Sequence, residues 1–267
     1  MKILIIGGGN MGLTYARSFL RTHICRKEDL MILEKSSEKA QALAKKDIGT
    51  ICTQATECLQ VADLIIFAVK PQDSDLLFES IKDHVQDQQV FLSIMAGITI
   101  SSICEKLKVK KVIRAMPNLP AQTGMGMTVF TSSEEVTRIE LVMVQNLINT
   151  TGKSIYVEDE SKIDAATAIS GSGPAYVFFF MNALIKAAQE MGFSEAEAEL
   201  LVAQTFKGAI DIYNKENFTC QEWIAKVASR GGTTEAALHA FLTHKVNDDI
   251  VKGAMAALQR AIDLGKA

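Results

Sequence analysis

Ile3-Leu4-Ile5-Ile6-Gly7-Gly8-Gly9-Asn10-Met11-Gly12 is the stretch whose reading decides the fold. Four apolar residues, three of them β-branched, read as a buried strand. Glycines at 7, 9 and 12 then give the G-x-G-x-x-G spacing of a strand that runs straight into a helix. Gly7 permits the tight turn, Gly9 lets a ligand approach the backbone, and Gly12 lets helix and strand pack closely. The first N–H groups of the helix have no partner within it and carry partial positive charge. The turn is therefore an anion site suited to the pyrophosphate of a dinucleotide.

Outward from this turn, strand and helix patterns alternate. β-rich runs lie at Lys2–Ile6, Leu30–Leu33, Thr50–Cys52, Asp63–Val69 and Val90–Ile94, with helical patterns at Met11–Arg21, Glu38–Lys46, Ala55–Gln60 and Gln72–His84 between them. Further strands at Lys111–Met116, Met127–Thr131 and Ser154–Val157 extend the sheet, with helices Ile100–Leu107 and Ser133–Asn149. Such alternation predicts an α/β, Rossmann-like, doubly wound and mostly parallel sheet. After the acidic stretch Glu158–Ser161 the pattern becomes helical: Ser161–Ile169, Pro174–Met191, Ser194–Asn214, Cys220–Ala228, Thr234–Phe241 and Asn247–Leu264. Ser172 before Pro174, and Ser194 three residues before Glu197, read as helix starts, and Gly192 as a stop. The expected division is 1–157 for the dinucleotide and 158–267, all helical, for substrate and dimerisation.

Composition narrows the function. Of 267 residues 48% are hydrophobic, enough for a real core. A net charge of −3 leaves no basic surplus to neutralise phosphates, which argues against nucleic acid. The most apolar stretch, Ala175–Ile185, is shorter than the roughly 20 residues of a spanning helix, so no membrane is expected. Cys25, Cys52, Cys58, Cys104 and Cys220 are scattered without a CxxC pair, which suits packed thiols in a cytoplasmic protein. The histidines His23, His84, His239 and His244 show no ligand pattern, so no metal is expected.

Glu34 ends the second strand pattern, 22 residues past Gly12, near the spacing for recognition of a ribose hydroxyl. A carboxylate there favours a free 2′-hydroxyl, hence NADH. Lys35, Ser36, Ser37 and Lys39 follow at once and could hold the 2′-phosphate of NADPH, so both cofactors stay open. Ala68-Val69-Lys70-Pro71 ends a buried strand, and its backbone should line the cofactor, although Lys70 also reads as a solvated strand-end lysine. Ala96-Gly97 follows the next strand and could set small residues against a nicotinamide. Asn118 sits between two prolines, either as a hydrogen-bonding amide or as a turn residue. A second glycine turn, Ser229-Arg230-Gly231-Gly232-Thr233-Thr234, opens a helix and suits an anion as small as a carboxylate, unless it is only a helix cap.

Five segments together resemble the pyrroline-5-carboxylate reductase family: Gly7–Gly12, Ala68–Gln72, Arg114–Pro120, Asp164–Tyr176 and Val227–Thr234. The resemblance implies reduction of the imine of 1-pyrroline-5-carboxylate to L-proline with NADPH or NADH, and a homodimer or a higher oligomer of dimers. It places the cofactor on Ile6, Gly7, Gly9, Asn10, Met11 and Gly12, then on Glu34, Lys35 and Ser36. Ala68, Val69, Lys70 and Pro71, with Ala96 and Asn118, complete that side. The imino acid falls to Glu160, Val227, Ser229, Gly231, Gly232, Thr233 and Thr234, with Thr234 in the catalytic role and Glu160 as the acid just upstream of the pocket segment, although Glu160 also reads as an exposed linker glutamate. Leu119 departs from the more usual threonine after Asn118. A related reductase for another imino acid or a 3-hydroxy acid, and a non-catalytic dinucleotide sensor, remain as alternatives.

Overall fold

The computed structural model describes residues 1–265. Its strands are β1 (Ile3–Ile6), β2 (Leu30–Leu33), β3 (Thr50–Cys52), β4 (Leu64–Phe67), β5 (Val90–Ser93), β6 (Val112–Met116), β7 (Gly126–Ser132) and β8 (Gly152–Tyr156). They form one sheet in the order β3-β2-β1-β4-β5-β6-β7-β8, parallel except for the β6–β7 pair. Chain order reverses between β1 and β4, which makes the crevice beyond their carboxyl ends the natural ligand site. Strand periodicity fills both faces. Ile3 and Ile5 enter one buried cluster with Leu64, Ile66 and Leu92, while Leu4 and Ile6 enter the opposite one with Ile65, Phe67 and Phe91.

Helices α1 (Asn10–Arg21), α2 (Ser37–Ala44), α3 (Ser74–Ile81), α4 (Ile100–Leu107) and α5 (Arg138–Asn149) accompany the sheet. Three expected helices are trimmed. Ala55–Gln60 is instead two 3₁₀ turns, Ala55–Glu57 and Leu59–Val61, the form in which short helical pieces often occur. Gln72–His84 shrinks to α3 behind a 3₁₀ turn at Pro71–Asp73. Ser133–Asn149 begins only at Arg138, where the Thr137 hydroxyl accepts from Glu140 N and the Glu140 carboxylate accepts from Thr137 N.

Next come α6 (Ser161–Ala166), α7 (Gly173–Glu190), α8 (Glu195–Lys215), α9 (Cys220–Val227), α10 (Thr233–Thr243) and α11 (Val246–Leu264). The break expected before Pro174 does not occur. Thr167–Gly171 forms a π turn, in which Ser172 N donates to the Thr167 carbonyl five residues back (2.9 Å), and the Ser172 hydroxyl donates to that same carbonyl rather than capping a new helix. The resulting run Ser161–Glu190 is, by length and composition alone, long and apolar enough to cross a membrane. That corrects the expectation drawn from Ala175–Ile185 by itself. Ser194 does start α8 as expected, with its hydroxyl accepting from Glu197 N.

The chain packs as two compact units, Met1–Pro174 together with the chain from Ala257, and Ala175–Ala256. The composition shift lies at Glu158, but α6 packs on β6 and β7 and so belongs with the sheet. Within the helical unit many large apolar residues stay exposed in the single chain, among them Phe178, Phe179, Leu200 and Leu242.

Candidate functional site

Three glycines of the first turn do three different jobs. Gly7 has φ +108°, and a β-carbon there would lie 2.7 Å from the Ala68 carbonyl oxygen. At Gly12 a β-carbon would collide with the Gly7 carbonyl oxygen, so close packing of α1 on β1 requires glycine. A β-carbon at Gly9 would meet nothing within 4 Å. Gly9 also caps α1 without any side-chain bond. The turn thus offers the N–H groups of Asn10, Met11 and Gly12 across open space, a fit for a pyrophosphate.

The structure brings the flanking candidates to this turn. Ala68 N donates to the Ile6 carbonyl (2.9 Å), and Val69 lies against Gly7, so the loops after β1 and β4 meet at the switch point. Lys70 is exposed and precedes the 3₁₀ turn that begins at Pro71. Glu34 accepts from Gly8 N (3.2 Å) and Ser36 N (3.0 Å), and its own N–H donates to the Cys52 carbonyl (3.0 Å). Its carboxylate is therefore fixed beside the glycine turn. The Ser36 hydroxyl caps α2 by accepting from Lys39 N, and Lys35 is exposed. One of the donors that could have held a 2′-phosphate, Ser36 N, is already engaged by Glu34, while the Ser36 hydroxyl only accepts and keeps its own O–H.

One other candidate, Asn118, takes on a task internal to the fold. Asn118 donates from Nδ2 to the Ser170 carbonyl (2.9 Å) and accepts at Oδ1 from Met127 N (2.9 Å), which ties the loop after β6 to the π turn. Beside half-buried Ala96, Gly97 has φ +77°, and a β-carbon there would lie 3.0 Å from Leu264 C. The small residue at 97 is thus explained by packing against the end of α11.

In the helical unit, α9 ends at exposed Val227 and the second glycine turn leads into α10. Gly231 has φ +73°, and its N–H donates to the Glu235 carboxylate (2.7 Å). Gly232 N donates to the Ser229 carbonyl (3.0 Å), and a β-carbon at Gly232 would lie 2.5 Å from the Ser229 hydroxyl oxygen. Both glycines build the turn, and their N–H groups are committed within it. Thr233 and Thr234, the first two residues of α10, keep first-turn N–H groups and hydroxyls for a ligand. Of the N–H groups expected at an anion, that of Gly232 already has a partner in the turn, whereas those of Thr233 and Thr234 open α10.

Glu160 stands beside the sheet. It accepts from Arg114 Nη1 (3.0 Å) and from Ile100 N (2.9 Å), while Arg114 Nη2 donates to Asp164 (2.6 Å). Sequence reading gave Arg114 no role. The signal was present, however: an arginine inside the apolar run Val112–Met116, and two acids spaced i, i+4 at the start of a helix.

Two family models match separate parts of the chain. A family model described as pyrroline-5-carboxylate reductase dimerisation matches residues 160–264, and one described as NADP oxidoreductase, coenzyme F420-dependent, matches residues 2–97. Pyrroline-5-carboxylate reductase 2 of Bacillus subtilis is 33% identical over 252 residues, covering 94% of this chain and 90% of that protein. The crystal structure of the Plasmodium falciparum pyrroline carboxylate reductase with NADP bound is similar at a TM-score of 0.89 and 27% identity, covering 99% of this chain and 98% of that one. A pyrroline-5-carboxylate reductase structure from Coxiella burnetii gives a TM-score of 0.90 at 29% identity, covering 100% of this chain and 99% of that one.

Proposed function

Because the chain belongs to the pyrroline-5-carboxylate reductase family, we infer that the turn Gly7–Gly12 holds a reduced nicotinamide dinucleotide and that the turn before α10 holds an imino acid. The protein is an NAD(P)H-dependent oxidoreductase that reduces 1-pyrroline-5-carboxylate to L-proline. The observation that carries this reading is the opening at Gly9, a cradle that any larger residue would fill, at the switch point of the sheet.

The bound cofactor supplies a hydride for the imine carbon. The protein's part is to hold and orient. The N–H groups of Asn10, Met11 and Gly12 fix the pyrophosphate, and Glu34 receives the ribose hydroxyls. Thr233 and Thr234 take the substrate carboxylate through backbone and hydroxyl donors. A protonated cyclic imine is already electrophilic, so near-attack positioning carries most of the rate enhancement. Mixing the purified protein with 1-pyrroline-5-carboxylate and either reduced nicotinamide should oxidise the cofactor and yield proline. A folded protein that oxidises neither would contradict the reading.

Between the two cofactors, the fixed carboxylate of Glu34 favours NADH, since a 2′-phosphate would meet a like charge where Ser36 N already donates to that carboxylate. Glu34→Ser is expected to raise the kcat/KM ratio of NADPH to NADH about tenfold, near 1.4 kcal/mol. The NADPH Kd, from a fluorescence titration, should fall in parallel. If neither ratio moves, the charge of Glu34 does not set the preference.

The protein assembles as a homo-oligomer, with the dimerisation match covering residues 160–264. We assign the exposed apolar residues of Ser161–Glu190 to a homodimer, or to a ring of dimers, rather than to a membrane. The free thiols suit the cytoplasm, and the acidic net charge leaves no footprint for nucleic acid.

A further inference from the structure

We propose that Arg114, Glu160 and Asp164 are positioning residues for hydride transfer, and that Glu160 acts through Arg114 rather than on the substrate. Arg114 rises from β6 with its side chain 1% exposed, and both of its carboxylate partners stand at the start of α6. One oxygen of Glu160 receives both Arg114 Nη1 and the N–H of Ile100, the first residue of α4. A single carboxylate therefore joins β6, the start of α4 and the start of α6.

What these bonds hold in register is the carboxyl edge of the sheet. Ile100 closes the segment that leaves β5 and contains Ala96 and Gly97. Two residues past Arg114, β6 ends at Met116, and Asn118 binds the Ser170 carbonyl of the π turn. A β-carbon at Gly171 would lie 2.9 Å from Met116 Cε, so the π turn rests directly on the strand end. π turns recur at functional sites because they re-aim a helix locally. This one falls between α6, which the ion cluster anchors, and α7.

Arg114 is buried while Glu160 and Asp164 are partly exposed, and ion pairs of this kind add little stability over apolar packing, so what the cluster supplies is arrangement. Arg114 presents two fixed donors, Nη1 to Glu160 and Nη2 to Asp164, a geometry that lysine cannot copy. Loss of that register would misplace the groups at the sheet edge by a fraction of an ångström, which costs rate more than affinity.

The proposal rests on the reductase reading, and turnover by the unaltered protein in the same assay tests that reading separately. The test is the neutral triple variant Arg114→Met, Glu160→Gln, Asp164→Asn, which leaves no unpaired buried charge. It should fold and assemble normally, with cofactor Kd and proline Ki within about twofold of the parent, while kcat falls about tenfold and the isotope effect with deuterated cofactor rises. If the triple variant fails to fold, Arg114→Lys should show the same split between kcat and Kd. An unchanged kcat in a folded variant would overturn the proposal, because the cluster would then be structural only. So would a Glu160→Gln variant that raises proline Ki tenfold while Arg114→Lys leaves it alone, since Glu160 would then be a ligand of the substrate.

Discussion

Gly9→Val is expected to abolish dinucleotide binding while leaving the protein folded. The backbone at Gly9 is extended, with φ −76° and ψ −173°, a conformation valine adopts without strain. Among the described residues its β-carbon would meet no atom within 4 Å. The valine methyls would instead fill the space in front of the N–H groups that open α1. Losing a substantial part of the pyrophosphate contact should weaken the Kd for NADH and NADPH by at least about a hundredfold, near 2.8 kcal/mol. Equilibrium titration alongside circular dichroism checks both halves. Unchanged affinity in a folded variant would show that the dinucleotide lies elsewhere. Gly12 makes the contrast: a β-carbon there collides with the Gly7 carbonyl oxygen, so a substitution at 12 acts on stability first.

Thr234→Ala is expected to raise KM for the imino acid and lower kcat, with cofactor affinity unchanged. The variant keeps the backbone N–H and the helix, so it isolates the hydroxyl. A hydrogen bond to a charged group contributes about 1.5–3 kcal/mol, which corresponds to a fall in kcat/KM of roughly 10- to 150-fold. Because the N–H groups of Gly231 and Gly232 are held by Glu235 and Ser229, little remains to take over from Thr234. Pyrrolidine, which keeps the ring of proline but lacks its carboxylate, should inhibit far more weakly than proline itself. Equal inhibition by the two, or a kinetically silent Thr234→Ala, would reduce the turn to a helix cap.

Much of the fold was legible because its signals are local and repeated. Strands β1, β2 and β4 are uniform apolar runs, and the alternate residues of β1 and β4 feed two cores, as a doubly covered sheet demands. The capping box at Ser194 and Glu197 is a pattern written within four residues. The π turn was not legible. Ser172, Gly173 and Pro174 compose an ordinary helix start, and only contact of Gly171 with Met116 and of Ser170 with Asn118 favours a continuous bulged helix. The partnership of Arg114 with Glu160 and Asp164 spans about fifty residues and leaves no local trace beyond a charge in an apolar strand. The same holds for the second turn. Its glycines announced an anion site, but which N–H groups remain available depends on Glu235 and on a Ser229–Gly232 bond that spacing does not reveal.

The measurement that bears most directly on the two glycine turns is a crystal structure of the protein with NADH and proline bound together. Pyrophosphate oxygens should accept from the N–H groups of Asn10, Met11 and Gly12, with a ribose hydroxyl on Glu34, and the proline carboxylate should lie on Thr233 and Thr234. A pyrophosphate away from the Gly7–Gly12 turn, or a carboxylate held by any element other than the start of α10, would contradict the assignment.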